Sequence, residues 1–239
     1  MNEPTNSAVS DASIDLAAIR SKLKTAPEKT QLKLMQQLSE IGEAGLNVIK
    51  ESLQEQRDKP PSAVQGKAYQ LLLNSNSSAI AEFLATEFPT GLVPERSENN
   101  IDYSELQKLL AKQEFQSADK LTLQKLCENA GPDAVQRKWL YFTEVDKIPV
   151  TDLQTIDTLW RVYSEGKFGF SVQREIWLGV GKNWEKMWPK INWKEGNIWT
   201  RYPGGFTWDL SAPRGHLPLS NQLRGVRVIE KLLTHPAWE

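Results

Sequence analysis

Nine tryptophans occur in this chain, and all of them stand at or beyond position 139: Trp139, Trp160, Trp177, Trp184, Trp188, Trp193, Trp199, Trp208 and Trp238. Tryptophan brings a large rigid apolar face with a single polar N–H. It suits both core packing and the gripping of flat ligands or partner surfaces. A chain so divided folds as two unlike parts, and the dense run between Trp184 and Trp208 holds the functional question.

With 239 residues, the chain has material for one large domain or two ordinary ones. Its 29 Lys and Arg balance 30 Asp and Glu, so no net field draws it to nucleic acid or acidic membranes. Cys127 is the only cysteine, which excludes an internal disulfide. With only His216 and His235 beside it, no Cys/His zinc cage can be assembled. The first fifteen residues show neither a signal nor a transit-peptide pattern, and no apolar run is long enough to span a bilayer. The expected location is the cytoplasm.

The first hundred residues read as a helical bundle or stacked helical hairpins. Leu34, Leu38, Ile41, Leu46, Ile49 and Leu53 step by three to five, with Gly42 and Gly45 breaking the run into two helices. Ser62 is the expected N-cap of a helix over 64–73, and Ile80, Phe83, Leu84 and Phe88 mark another. This part is either a stabilising bundle or a helical-repeat adaptor. Residues 89–100, with two prolines and a polar cluster, read as the linker, giving domains 1–94 and 95–239.

Beyond the linker, the pattern predicts a helix capped by Asp102 and one over 117–130 with Leu123, Leu126, Cys127 and Ala130 inward. A helix after Pro149 with a Thr151/Gln154 capping box should bury Trp160 and Tyr163. Further helices are expected from Ser171, from Trp184 to Pro189 and from about Ser220 to Leu233. Residues 191–219 have neither helical nor strand period and repeat Gly and Pro. A long irregular stretch so rich in aromatics is not disordered. Trp193, Trp199, Tyr202, Phe206 and Trp208 either fold under onto the helices or line a cleft. Residues 141–149, with Phe142, Val145 and Ile148, have the same character. Between Trp199 and Arg227, four arginines (Arg201, Arg214, Arg224, Arg227) face one Asp209. Guanidinium groups beside flat apolar walls suit a planar, greasy ligand rimmed by carboxylates.

No catalytic constellation stands out. Gly179-Val-Gly-Lys-Asn183 lacks both the first glycine and the Ser/Thr of a P-loop. His216 reads as a loop hydrogen-bonder, or as an axial ligand if the chain were a haem-binding sensor or carrier. His235 reads as exposed or as a cation at a helix end.

Several separated segments, in order, resemble the Genomes-Uncoupled-Four (GUN4) family. They are 103–122 with its Asp-Tyr-Ser-Glu-Leu opening and Ala118-Asp119, Asp152-Leu-Gln-Thr-Ile-Asp-Thr-Leu-Trp160, Ser164-Glu-Gly-Lys-Phe-Gly-Phe-Ser-Val-Gln173, and 208–227. The similarity covers about residues 101–238 and departs at Phe115, where the family pattern has a tryptophan. It implies an all-α fold, with an N-terminal bundle of the cyanobacterial type ahead of an all-helical core carrying long irregular aromatic loops. It also implies a non-catalytic, porphyrin-binding activator of magnesium chelatase that takes protoporphyrin IX or Mg-protoporphyrin IX and acts on the large porphyrin-binding subunit. No nucleic acid and at most peripheral membrane association would be involved. Phe142, Val145 and Ile148 would form one wall of a cup, and Trp199, Tyr202, Phe206, Trp208 and Leu217 the other. Arg214, Arg224 and Arg227 would face the propionates. The competing readings are the haem sensor and a helical adaptor that binds no pigment.

Overall fold

A computed structural model describes residues 16–220 and 225–239, and within them the regular structure is helical apart from one hairpin of two-residue strands. Helices α1 (Leu16–Thr25), α2 (Glu28–Glu40), α3 (Glu43–Glu55), α4 (Ala63–Leu73) and α5 (Ser78–Glu87) each pack on their neighbours in sequence, with α4 against both α2 and α3. Leu34, Leu38, Ile49 and Leu53 lie on the buried faces as their spacing predicts. The break between α2 and α3 falls at Gly42, whose φ is 83°. Gly45 does not break the helix as expected. It sits inside α3, where a Cβ would come within 1.9 Å of the Leu38 carbonyl oxygen, so it permits close approach to α2. Ser62 caps α4 in a full capping box with Gln65.

Residues 88–103 are irregular but tightly held. Buried Gln107 donates to the Thr90 and Val93 carbonyls and accepts from the Val93 N–H. Asp152 accepts from Ser97, from the Glu98 N–H and from the Tyr103 hydroxyl. Instead of a loose tether, the linker is a strap fastened to the core.

The core comprises α6 (Ser104–Ala111), α7 (Phe115–Ala130), α8 (Pro132–Arg137), α9 (Val150–Tyr163), α10 (Phe170–Gly179), α11 (Trp184–Lys190) and α12 (Arg227–Leu233). Central α9 buries Trp160 and Tyr163 and packs against α4 of the N-terminal part, where Tyr69 meets the Tyr163 ring edge-on and Gln70 donates to the Tyr163 carbonyl. At that crossing, a Cβ on Gly66 would lie 2.0 Å from the Val162 carbonyl oxygen, so only glycine allows the two backbones to meet. The same buried apolar cluster runs through both parts.

Several local expectations are corrected. Asp102 stands one residue before the N-cap position, which Tyr103 occupies, and accepts from the N–H of Ser104, the first helical residue. Leu123 is 38% exposed, off the buried stripe of α7. The Thr151/Gln154 box is not formed, because Thr151 bonds Glu98 and Gln154 reaches the Ala237 carbonyl; α9 begins at Val150 after Pro149. Residues Phe142–Lys147 form a 3₁₀ helix, and Lys194–Glu195 pairs antiparallel with Ile198–Trp199. The last α-helix begins at Arg227, later than the pattern suggested.

Candidate functional site

The 3₁₀ helix Phe142–Lys147 packs on both α7 and α12. Its fold is set by Glu144, which accepts from the Tyr141 N–H at 2.9 Å and from Arg137 at 2.6 Å. Against the upward push of burial, these two donors hold the Glu144 carboxyl below its usual range. Val145 and Ile148 are fully buried, so they back this wall from behind. Phe142 is half-buried, with the Arg227 guanidinium 5.1 Å from its ring centre. Lys231 of α12 closes the contact on Asp146 at 2.8 Å.

The aromatic segment divides into two groups. Trp177, Trp184, Trp188 and Trp193 stack in succession at 4.9, 5.0 and 5.7 Å, and Trp199 meets Trp188 edge-on. The Trp193 indole N–H donates to the His216 carbonyl, tying this ladder to the end of the loop. Tyr202, Phe206 and Trp208 form a second cluster that leans on the His216 ring. Phe206 and Leu217 are buried, Trp199 and Trp208 half-buried, and Tyr202 is 50% exposed.

His216 is the pin of this loop. Its Nδ1 lies 2.6 Å from the Ile191 carbonyl oxygen and its Nε2 accepts from the Thr207 N–H at 3.1 Å, an arrangement that requires the neutral Nδ1–H tautomer. Burial pushes its pKa down, more than the Ile191 hydrogen bond raises it. With both nitrogens occupied, His216 has no lone pair for an iron, so the haem-sensor reading loses its ligand. His235 is likewise buried, bonding the Ile148 carbonyl and the Ala237 N–H, which corrects its expected exposed placement. Gln173 donates to the Gly215 and Pro218 carbonyls, and buried Asp119 accepts from the Leu219 N–H at 2.6 Å. Burial raises the Asp119 pKa to about 7, against the pull of that N–H.

Of the arginines, Arg227 is exposed at the start of α12, and Arg214 pairs with Glu175 at the surface. Arg224 lies outside the described residues. A cleft of about 360 Å³ opens between α7 and α8, lined by Lys120, Leu123, Gln124, Cys127, Val135 and Lys138. Leu123 and Val135 are 38% and 44% exposed there, an apolar floor between two lysines. Sequence reasoning missed this place because Leu123 fits a helical stripe and short α8 shows no period. A leucine one step off the strongest buried face, with a lysine three residues before it, was the only available signal. Burial lifts the Cys127 thiol to about 11, leaving it protonated and inert. Among the described residues, no group of three or more His, Cys, Asp and Glu is placed to hold a metal, and no helix is long and apolar enough to cross a membrane.

A family model described as GUN4-like matches residues 96–236, more than half of the chain. The chain belongs to the GUN4-like family. A second model, the ARM-like repeat domain at the N-terminal side of GUN4, matches residues 7–89. A Ycf53-like protein of Synechocystis is 52% identical over 226 residues, covering 94% of this chain and 97% of the relative. The chloroplastic tetrapyrrole-binding protein of Arabidopsis thaliana is 39% identical over 142 residues, 56% of this chain and 54% of that protein. Among solved structures, GUN4 from Chlamydomonas reinhardtii is similar at a TM-score of 0.58 and 45% identity, over 62% of this chain and 96% of that one. Ligand-free Arabidopsis thaliana GUN4 is similar at 0.54 and 38%, over 61% and 99%. The architecture is thus an ARM-like repeat unit followed by a GUN4 core, and the strap at 88–103 spans the gap at 90–95 between the stretches matched by the two models.

Proposed function

We propose that this GUN4-like chain is a non-catalytic tetrapyrrole-binding regulator. It holds protoporphyrin IX or Mg-protoporphyrin IX and stimulates magnesium chelatase through that enzyme's large porphyrin-binding subunit, in chlorophyll synthesis. Family membership and the tetrapyrrole-binding Arabidopsis relative support the ligand class. The observation that carries the reading is an exposed apolar surface with a cationic rim, set on rigid helices: Leu123 and Val135 between Lys120 and Lys138, with Phe142, on the 3₁₀ helix that packs against the same α7, under Arg227 of α12.

In this proposal the macrocycle lies on Leu123, Val135 and Phe142, with Tyr202 and Trp208 offering the facing aromatic surface. Val145, Ile148, Phe206 and Leu217 support the two walls from within. Arg227 and the two lysines meet the propionates, together with Arg224; Arg214 joins them only by leaving Glu175. Trp199, half-buried against Trp188, holds the hairpin that leads into the aromatic cluster. Burying roughly 300–400 Å² of macrocycle at about 25 cal/mol per Å² yields about 8–10 kcal/mol gross. Subtracting several kcal/mol of association cost leaves roughly micromolar affinity. Propionate pairs at this exposed rim add about 0–1 kcal/mol each and mainly set orientation. Such a site releases its ligand readily, as delivery to or removal from an enzyme requires.

The test is quenching of tryptophan fluorescence by a dicarboxylate porphyrin, its ester serving as control. Saturable quenching is expected, weaker for the ester and weaker by about tenfold, near 1.4 kcal/mol, in Leu123→Glu/Val135→Glu or Arg227→Glu. Unchanged affinity in a variant whose helical circular dichroism is intact removes those residues from the site. Adding the chain to purified magnesium chelatase should raise the rate of Mg insertion, and the cleft variant should not.

A further inference from the structure

A separate cleft of about 540 Å³ opens in the seam between the ARM-like unit and the core. One wall is the loop after α3, with Arg57, Lys59, Pro60 and Pro61. The other is the strap at Pro94 and Arg96 together with Thr155 and Thr158 of α9. No aromatic side chain lines it, so it has nothing to stack on a flat ring and is unlike the α7–α8 cleft. We propose that this seam is a docking site for an extended acidic peptide segment of a partner protein.

Charge comes first. Three cations stand against one acidic lining residue, Asp58. Arg57 is occupied by Glu87, whereas Lys59 and Arg96 are exposed and, among the described residues, in no ion pair. Two unpartnered cations on opposite walls suit successive carboxylates along a chain better than one compact anion.

Hydrogen-bonding capacity points the same way. Pro60 and Pro61 have no N–H, so their stretch of backbone offers carbonyl acceptors only, which an extended peptide can meet with its own N–H groups. The half-buried Thr158 hydroxyl on the other wall can donate or accept.

Both walls are already rigid. Buried Gln65 accepts from the Ser62 N–H and donates to the Gln56 carbonyl, each at 2.7 Å, which staples the 56–62 loop from both ends. Thr155 donates to the Arg96 carbonyl at 2.8 Å, and Asp152 holds the Glu98 N–H at 2.9 Å just beyond. A site organised before binding costs a ligand less ordering. Because the cleft takes one wall from each unit, its occupant would also clamp the repeat unit to the core.

The experiment is fluorescence anisotropy of a labelled oligoglutamate peptide titrated with the full chain at low and at physiological salt. Saturable binding is expected for oligoglutamate and none for oligoglutamine. Lys59→Glu/Arg96→Glu should loosen it by about tenfold or more, with the milder Lys59→Ala/Arg96→Ala pair shifting in the same direction. Lys186→Glu/Lys190→Glu, an equal charge change on α11, should leave it unaltered. Absence of saturable binding, or equal loosening by both charge reversals, overturns the proposal. Displacement of the peptide by inorganic pyrophosphate at comparable concentration does so too, by making the seam a site for a small phosphate-bearing anion. Helical circular dichroism of each variant separates loss of binding from loss of fold.

Discussion

Within residues 16–88 the buried side chains are aliphatic and aromatic, with Gln65 and Gln70 the polar exceptions, and the surface carries ion pairs such as Arg20–Glu51 and Lys24–Glu55. From residue 96 onward the buried set also includes Gln107, Asp119, Asn129, Asp152, Asp157, Gln173, His216 and His235. The repeat unit needs little beyond complementary apolar stripes, because its helices are joined by short turns and each packs on its sequence neighbours. The core must fasten a strap and long irregular loops whose backbone groups have no helical partner, and buried polar side chains satisfy them. Asp157 illustrates the device: it accepts from both the N–H and the hydroxyl of Ser171, and Gly169, at φ 134°, leaves room for it where a Cβ would come within 2.7 Å.

This contrast can be broken at four places. The largest effect is expected at the joint between the two regions. Gly66→Val drives a side chain into the Val162 carbonyl and should cost about 4 kcal/mol or more. Urea unfolding followed by circular dichroism should then split into two transitions; a single unshifted transition would mean the regions do not rely on this contact. Next comes Asp152→Ala, which strips the strap of three hydrogen bonds and should cost about 3 kcal/mol, with faster proteolysis near residue 97.

A smaller effect should depend on pH. Asp119 titrates near 7 when folded and near its ordinary low value when unfolded, so its protonation stabilises the fold at low pH and that contribution is lost as pH rises through about 7. Asp119→Asn removes the burden, and its stability relative to the parent should improve by roughly 1 kcal/mol between pH 6 and 8. A flat difference would show that the carboxyl stays charged. His216 and His235, whose pKa values are lowered, act in the opposite sense, losing stability as pH falls below about 6.5 in both proteins, so they cancel in the difference. The smallest change is expected from Lys24→Ala, which removes an exposed pair of the repeat unit and should stay within about 0.5 kcal/mol by thermal unfolding.

Much of the helical scaffold was legible from local pattern. The Leu34-to-Leu53 stripe, the Ser62 cap and the Trp160 and Tyr163 positions each follow from spacing that a helix imposes on neighbours in sequence. Phe142 and Arg227 were also named from the sequence, and the fold brings the guanidinium over the ring. Other features resisted. Gly45 reads as a breaker unless the Leu38 carbonyl of the neighbouring helix is known to be there. Thr151 and Gln154 match a capping box, yet their side chains found Glu98 and Ala237, far away in sequence. Leu123 reads as a core residue from spacing alone, whereas the position of α8 leaves it open to solvent.

By itself, the sequence determined that the chain is helical, that a connecting segment without helical period lies near residue 95, that its aromatics concentrate in the second part, and which family motifs it bears. These depend on period, punctuation and residue identity, which are properties of adjacent residues. Only the tertiary structure decided which aromatics are core and which face solvent, that both histidines are neutral and spent on backbone groups, and that two clefts open where helices distant in sequence meet. Burial, protonation and cavities are set by what packs against a side chain from elsewhere in the fold, and no local pattern records that.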